Sequence, residues 1–482
     1  MNVAQPIETS SKESRSKSLE GMLRKMQAAH RKHPYPTYEE RIDALDRLER
    51  TLLRNKDAIC DAISHDFGNR SRHESLVAEV FIVLQHIKYV RGRLAEWMRP
   101  SDRETSWAFL PARSDVRYQP LCVIGIISPW NYPVQLALAP LVSALASGNR
   151  AIIKPSELTP RTSELLRDMI AEGFDPDHVT VVTGGVDVAE AFSRLPLNHL
   201  VFTGSTTVGR MVMRAASENL VPVTLELGGK SPAIINDDFP LDVAARRLMM
   251  GKLFNAGQTC IAPDYVLLPE GKREAFVEVC KKTVAEMYPT LATNPDYTSI
   301  VSDRHYDRLV SLIAEARDKG ARIVEVNPVN ETMNREVRKL PLHLVLDAPE
   351  EASVMRDEIF GPILPIIGYK TLGDAIEYIN ERPRPLALYF FGYNQAHVER
   401  VLTETISGGV SVNETMAHVA QDDLPFGGVG PSGMGHYHGF EGFEQFSKKK
   451  PVFRQSRLNT TGLLRPPFGT VVDTFLKLVL GK

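Results

Sequence analysis

Apolar residues recur at three- and four-residue intervals in two early stretches. Ile42, Leu45, Leu48, Leu52, Ile59 and Ile63 share one face of a helix that opens at Thr37-x-x-Glu40 and stops at Gly68. Ser71-x-x-Glu74 has the same spacing and leads a second face of Leu76, Val80, Val83, Ile87, Val90 and Leu94, which ends before Pro100. A Ser or Thr cap and a Glu three residues later exchange side-chain-to-backbone hydrogen bonds, so the spacing predicts two helix starts. From Trp107 to Gln119 the pattern turns irregular and polar, an excursion from the main body.

Beyond residue 120 short apolar runs alternate with helical stretches. Leu121–Ile127, Ala151–Ile153, Val179–Val182, His199–Phe202 and Thr224–Leu227 read as strands, with helices from about Gln135 to Ser147 and after Pro160 among the connections. Apolar strands spaced by helices predict a parallel sheet covered on both faces. A second round, from about Ser231 to Val412, places strands near Tyr265–Leu268, Ile363–Ile367, Ala387–Phe391 and Val410–Val412. The pattern therefore predicts an α/β chain of two doubly wound lobes.

Composition narrows the classes. The 482 residues suffice for two or three domains, and the 43 % apolar content for sizeable cores. The 57 basic and 59 acidic residues leave a net charge of −2, which gives no footprint for nucleic acid or an anionic membrane. The first eighteen residues, rich in Ser, Lys and Glu, lack the apolar run of a secretory leader and are expected to form a disordered tail. No run approaches the roughly 20 apolar residues of a membrane span. A reducing, cytoplasmic setting is expected.

The 13 histidines show no ligand spacing, His436-Tyr-His438 is too short a cluster, and the four cysteines form no Cys-x-x-Cys pair, so no metal is expected. Cys280 falls on an apolar helical face, Cys122 in an apolar strand and Cys60 in a helix. Only Cys260 follows a turn, Gly257-Gln-Thr, where a thiol is presented rather than packed. Upstream lies Glu226-Leu-Gly-Gly-Lys230, a carboxylate beside flexible backbone. A thiol attacks only as thiolate, and a carboxylate is a natural proton acceptor beside it. Singly, each residue is more often a small core side chain or a turn carboxylate.

Three further turns follow predicted strands, where wound sheets bind ligands. Pro129-Trp-Asn-Tyr-Pro133 fixes the Asn131 amide as a donor for a developing oxyanion, or is merely a rigid aromatic turn. Lys154-Pro-Ser-Glu157 offers a cation and a carboxylate to ribose hydroxyls, or to solvent. Thr203-Gly-Ser-Thr-Thr-Val-Gly209 opens a helix whose amides suit a pyrophosphate. Glu358-Ile-Phe-Gly-Pro362 joins a carboxylate to an aromatic ring. Gly428-Val-Gly-Pro-Ser-Gly433 matches the dinucleotide pattern G-x-G-x-x-G literally, but follows no strand that begins a wound unit and is rejected as the cofactor loop.

Together these segments resemble the aldehyde dehydrogenase superfamily, in its order, from about residue 38 to 455. Gly257-Gln-Thr-Cys-Ile-Ala-Pro-Asp-Tyr265 and Ser432-Gly-Met-Gly435 resemble its class-three-like branch, and His418-Val-Ala-Gln-Asp-Asp-Leu-Pro-Phe426 its coniferyl aldehyde dehydrogenases. The resemblance implies that Cys260 attacks an aldehyde to give a thiohemiacetal and, after hydride transfer to a nicotinamide, a thioester. Asn131 and the Cys260 backbone would hold the oxyanion, and Glu226 would activate the hydrolytic water. It further implies Trp130, Lys154, Glu157, Gly204, Ser205, Gly209, Glu358 and Phe360 at the cofactor, with Tyr132 and His418 at the substrate. NAD is expected, with NADP the alternative. Small-molecule aldehyde and a second copy, in a homodimer, are the expected partners.

The implied organisation is a tail at 1–18, a cofactor domain at 19–101 and 121–228, and a catalytic domain at 229–439. A small β bridging and oligomerisation segment would comprise 102–120 and 440–460, and a tail 461–482. Val471, Phe475, Leu478 and Val479 give that tail an amphipathic pattern, suited to covering a substrate entrance or a subunit surface, or to a loosely packed end. Two other readings stay open: a coenzyme A-acylating relative, against which the intact Glu226 motif weighs, and a non-catalytic protein of the same fold.

Overall fold

The structure is a computed structural model that describes residues 12–458, 462 and 465–481. Two wound sheets lie side by side in sequence, and a third, smaller sheet joins distant segments. The first has six strands in the spatial order Gly433–Met434, Val223–Glu226, His199–Thr203, Val123–Ile127, Arg150–Lys154 and Val179–Val181. All neighbours run parallel except the first pair. The chain winds one way from Val123–Ile127 through the next two strands, then crosses back to His199–Thr203. The switch point thus lies between the strands ending at Ile127 and Thr203, and their C-terminal loops carry Asn131 and Ser205.

The second sheet has seven strands, in the order Arg322–Val326, Leu342–Leu346, Ile363–Tyr369, Tyr265–Pro269, Pro232–Ile235, Ala387–Phe391 and Gly409–Val412. Only its Arg322–Val326 edge is antiparallel. Pro232–Ile235, Arg322–Val326 and Leu342–Leu346 are strands that the hydrophobic pattern did not separate. Arg322–Val326 is half exposed, so its apolar signal is diluted.

The Thr37 helix spans Tyr38–Phe67 with a complete capping box and a left-handed Gly68 cap. The second expected helix differs. Ser71 accepts a bond from the Glu74 N–H, but the Glu74 carboxylate does not reach back to the cap. Instead its Oε2 accepts from the Thr298 hydroxyl at 2.7 Å and the Asn255 N–H at 3.2 Å. Tertiary partners have taken the carboxylate. A π-helical turn, Leu76–Phe81, then precedes the helix Ile82–Trp97.

Residues 12–18, expected in a disordered tail, belong instead to a helix, Lys12–Lys32. Leu19, Leu23 and Met26 bury themselves against the first sheet's core, and this one-face anchor offsets the polar composition that suggested disorder. The rest of that tail lies outside the described residues.

The excursion after Pro100 is ordered as sheet. Ser101–Arg103 and Arg113–Pro120 pair antiparallel, and Arg113–Pro120 pairs along its length with Ser447–Arg454, which joins the two expected bridging segments. The end of the second segment and the start of the C-terminal tail lie partly outside the described residues. The helix Thr470–Leu480 buries Val472 and sets Phe475 5.8 Å from Trp107, while Val471, Leu478 and Val479 are exposed. No helix among the described residues is long and apolar enough to cross a membrane.

Candidate active site

The helix Leu241–Leu253 runs into a turn in which Asn255, Ala256 and Gly257 have φ of 53°, 52° and 75°. Two residues with a Cβ in this left-handed region carry strain, so the surroundings must hold them. Asn255 Nδ2 donates to the carbonyls of Asn131 and Gln258, both at 3.1 Å. Gln258 Nε2 donates to the Asn255 and Ser299 carbonyls at 3.0 and 3.1 Å, and Gln258 Oε1 accepts from the Val301 N–H at 2.9 Å. Gly257 has no room for a side chain, because a Cβ would lie 2.6 Å from the Gly361 carbonyl oxygen. Gln258 is thus buried scaffold, and Cys260, two residues on, is left partly exposed.

The loop after Ile127 closes on this turn. Asn131 Nδ2 donates to the Gln258 carbonyl at 3.1 Å, and the Tyr132 hydroxyl lies 2.6 Å from Thr259 Oγ1. Both loop residues therefore contact the two residues preceding the cysteine. Burial, followed by the Glu358 and Glu226 carboxylates, pushes the Cys260 thiol up to about 12. A buried site that already holds two carboxyl groups disfavours a further negative charge, so the resting thiol is neutral.

Glu226 ends its strand 2 % exposed, and neither carboxylate oxygen has a protein partner. Burial raises its pKa well above the usual carboxylate range. The rejected glycine-rich segment lies directly alongside: Gly433 pairs with Glu226, and the Leu227 N–H donates to the Ser432 carbonyl at 3.0 Å. A Cβ at Gly433 would collide with the Leu225 carbonyl oxygen, so this glycine serves the close backbone approach.

Glu358 comes from the second lobe. Lys230 pairs with Asp264 and donates to the Val354 and Asp357 carbonyls at 2.9 and 3.0 Å, while Asp264 accepts the Ile359 N–H at 3.1 Å. These bonds fix the loop on both sides of Glu358. Any Cβ at Gly228 would collide with the Glu358 carboxylate, so the Gly-Gly pair permits the two loops to meet. Burial and the Asp264 charge raise Glu358 to about 8, and its Oε1 is buried without a partner.

The groups expected at a dinucleotide surround the first sheet's switch point. Buried Lys154 reaches Glu157 at 3.1 Å, with the Glu157 side chain 42 % exposed. Burial holds the Lys154 pKa down despite that carboxylate. Ser205 caps the helix Thr206–Ser217, accepting from the Val208 N–H, and Gly209 packs inside it against Leu227. The Gly204 N–H donates to the Glu226 carbonyl at 3.0 Å. Trp130 lies 5.5 Å from Phe360 and 4.9 Å from His305, forming an aromatic wall. An orphaned Glu358 oxygen, a Lys–Glu pair at a strand end and a capped helix N-terminus fit a nicotinamide dinucleotide.

Cys260 also opens onto a cavity of about 240 Å³. Tyr132, Phe254, Met250, Val419, Phe426 and Tyr437 are among its walls. His418 is not. Its Nδ1 contacts the Ser411 hydroxyl at 2.8 Å and its ring is buried beside Phe426, while Ala417 and Val419 on either side face the cavity. The expected His418 loop thus lines the cavity without its histidine, because Ser411 anchors the ring behind the wall. Val77 and Ala78 of the π-helical turn and Ile82, which opens the next helix, also line the cavity and carried no motif.

The family model "Aldehyde dehydrogenase family" matches residues 4–452. A probable coniferyl aldehyde dehydrogenase of Pseudomonas aeruginosa is 50 % identical over 455 residues, 94 % of each chain. A coniferyl aldehyde dehydrogenase of a Pseudomonas species is 46 % identical over 467 residues, 96 % of this chain and 97 % of its own. A solved structure of Staphylococcus aureus AldH in a substrate-bound state superposes with a TM-score of 0.90 at 36 % identity, covering 96 % of this chain and 99 % of that one. On this match and these relatives the chain belongs to the aldehyde dehydrogenase family, enzymes that oxidise aldehydes with a nicotinamide cofactor.

Proposed function

We propose that this enzyme oxidises aldehydes with an aromatic or unsaturated body, coniferyl aldehyde among them, to the carboxylic acid. The observation that carries this reading is the cavity at Cys260, about 240 Å³ and walled largely by aliphatic and aromatic side chains. A planar apolar substrate gains from such walls, with Cys260 in the lining to meet its reactive carbon. The names of the Pseudomonas relatives support the same substrate class.

Within this reading the Cys260 thiol gives up its proton to water, and its Sγ adds to the aldehyde carbon as thiolate. Asn131 Nδ2 and the Cys260 N–H receive the oxyanion, two fixed donors aimed where charge develops. The bound nicotinamide dinucleotide supplies the hydride acceptor. Glu358 receives a ribose hydroxyl on its unpartnered oxygen, and Lys154 and Glu157 take the adenosine ribose. Ser205 and the helix behind it face the pyrophosphate, with Gly204 and Gly209 allowing close packing; Trp130 and Phe360 border the nicotinamide. Glu226 then takes a proton from water, which attacks the Cys260 thioester and releases the acid. Tyr132 shapes the substrate end. NAD is the preferred cofactor. The strand Ser447–Arg454, paired on one side only among the described residues, is the surface assigned to a homodimer. Free cysteines and a thiol nucleophile suit a reducing, cytoplasmic setting.

The test is NADH formation by the purified protein across short aliphatic and cinnamyl-type aldehydes. A higher kcat/KM for the cinnamyl series is expected, and a preference for acetaldehyde would overturn the substrate assignment.

A further inference from the structure

Arg70 and Glu79 form an ion pair at 2.8 Å with both side chains fully buried. Charges are costly to bury, and a buried pair is often no more stabilising than an apolar one, so its bonds to the surroundings matter more than its presence. Those bonds converge on the Asn131 loop. Arg70 Nη1 donates to the Asn131 carbonyl at 2.9 Å. Glu79 Oε2 accepts the Val134 and Gln135 N–H groups at 3.0 and 2.8 Å, at the start of the helix Gln135–Ala146. The guanidinium also lies over the Tyr132 ring, 4.7 Å from its centroid. One ion pair therefore holds the loop at Asn131, at Tyr132 and at the helix that ends it.

We infer that Arg70, fixed by Glu79, is a positioning residue for aldehyde oxidation, setting the Asn131 amide and the Tyr132 ring against the Cys260 turn. The inference rests on the oxyanion role proposed for Asn131. The pair acts through the backbone. Asn131 has its carbonyl held from one side by Arg70 and from the other by Asn255, and its side-chain amide held by Gln258. Without Arg70 the carbonyl keeps only the Asn255 bond, which belongs to the strained turn itself. The amide and the thiol would then move together instead of against a fixed reference. A displacement of about 1 Å at such a donor costs on the order of 10²-fold in rate. The π-helical turn, Leu76–Phe81, is what carries Glu79 to this loop while Val77 and Ala78 line the cavity.

A double-mutant cycle on the full-length enzyme tests this. Removing Arg70 alone leaves Glu79 unpaired, so the variant is Arg70→Met with Glu79→Gln, which keeps an acceptor for the helix N–H groups and buries no charge. It should lower the rate of the NADH burst, and kcat with it, by about tenfold to a hundredfold, with the thermal midpoint little changed. In an Asn131→Ala background the same pair of substitutions should lower the burst rate by less than about threefold, because the donor being positioned is gone. An equal fractional loss in both backgrounds, or a lowered thermal midpoint with an unchanged burst, overturns the inference. Arg70→Lys, which keeps a charged donor but not the planar guanidinium over the Tyr132 ring, should fall between the unmodified enzyme and the double variant. Asn131→Ala by itself separates the two readings. If it leaves kcat intact, the oxyanion role fails; if it lowers kcat and the cycle is additive, only the Arg70 inference fails.

Discussion

Asn131 Nδ2 donates to the Gln258 carbonyl at 3.1 Å, which ties a loop of the first lobe to the turn that presents Cys260 in the second. One amide hydrogen is used by this bond and the other is free for an oxyanion. Asn131→Ala should lower kcat by about 10²–10³-fold, the usual loss for one oxyanion donor. Steady-state kinetics check this, and an effect confined to KM would contradict it.

Cys260→Ala should abolish NADH formation while equilibrium binding of NAD persists. In the unmodified protein the thiol is pushed up to about 12, so the thiolate fraction grows with pH throughout the neutral range. Alkylation by iodoacetamide in the absence of cofactor should therefore accelerate steadily from about pH 6 to 9. A plateau below pH 8 would mean that burial and the neighbouring carboxyl groups do not disfavour the thiolate.

Glu226 is raised well above the usual carboxylate range by burial, and only its deprotonated form accepts a proton from water. Thioester hydrolysis, followed from the preformed acyl-enzyme, should accordingly slow as pH falls, and at higher pH than an ordinary carboxylate would dictate. Glu226→Gln should give a burst of NADH followed by slow turnover. Mass spectrometry of the quenched variant should find an acyl adduct on Cys260; a slow burst with no adduct would place Glu226 at thiol activation instead.

The Glu157 carboxylate is 3.1 Å from Lys154 Nζ and partly open to solvent. A 2′-phosphate placed there meets one repelling and one attracting charge, so NAD is preferred without NADP being excluded. Glu157→Gln should raise the NADP to NAD ratio of kcat/KM about fivefold, equivalent to ~1 kcal/mol of repulsion removed at a solvated site. An unchanged ratio would show that Glu157 does not read the ribose.

Leu23 is 1 % exposed in the helix Lys12–Lys32 and packs into the first sheet's core. Leu23→Ala should cost about 2–5 kcal/mol, read as a lower urea midpoint of the first unfolding transition. A midpoint unchanged within error would detach this helix from the core.

The sequence by itself determined the winding. Strands such as His199–Thr203 are buried at every position, so they read as continuous apolar runs between helical patterns. It also singled out the candidate reacting groups, a thiol after Gly257 and a carboxylate before Gly228-Gly229, because Gly257 and Gly229 take the positive φ that glycine allows. Tertiary structure decided what local pattern cannot encode. Glu74 satisfies the capping-box spacing, yet its carboxylate went to Asn255 and Thr298, because buried N–H and hydroxyl groups compete for the same acceptor. His418 belongs to the cavity loop, but its bond to Ser411 turned the ring behind the wall. Leu19, Leu23 and Met26 ordered a polar segment only because the first sheet offered them an apolar face. Arg70 and Glu79 carry no motif, since the value of each depends on a partner and a loop far along the chain. Periodicity and turn chemistry act over a few residues, whereas the pairing of a buried charge is settled only when distant segments meet.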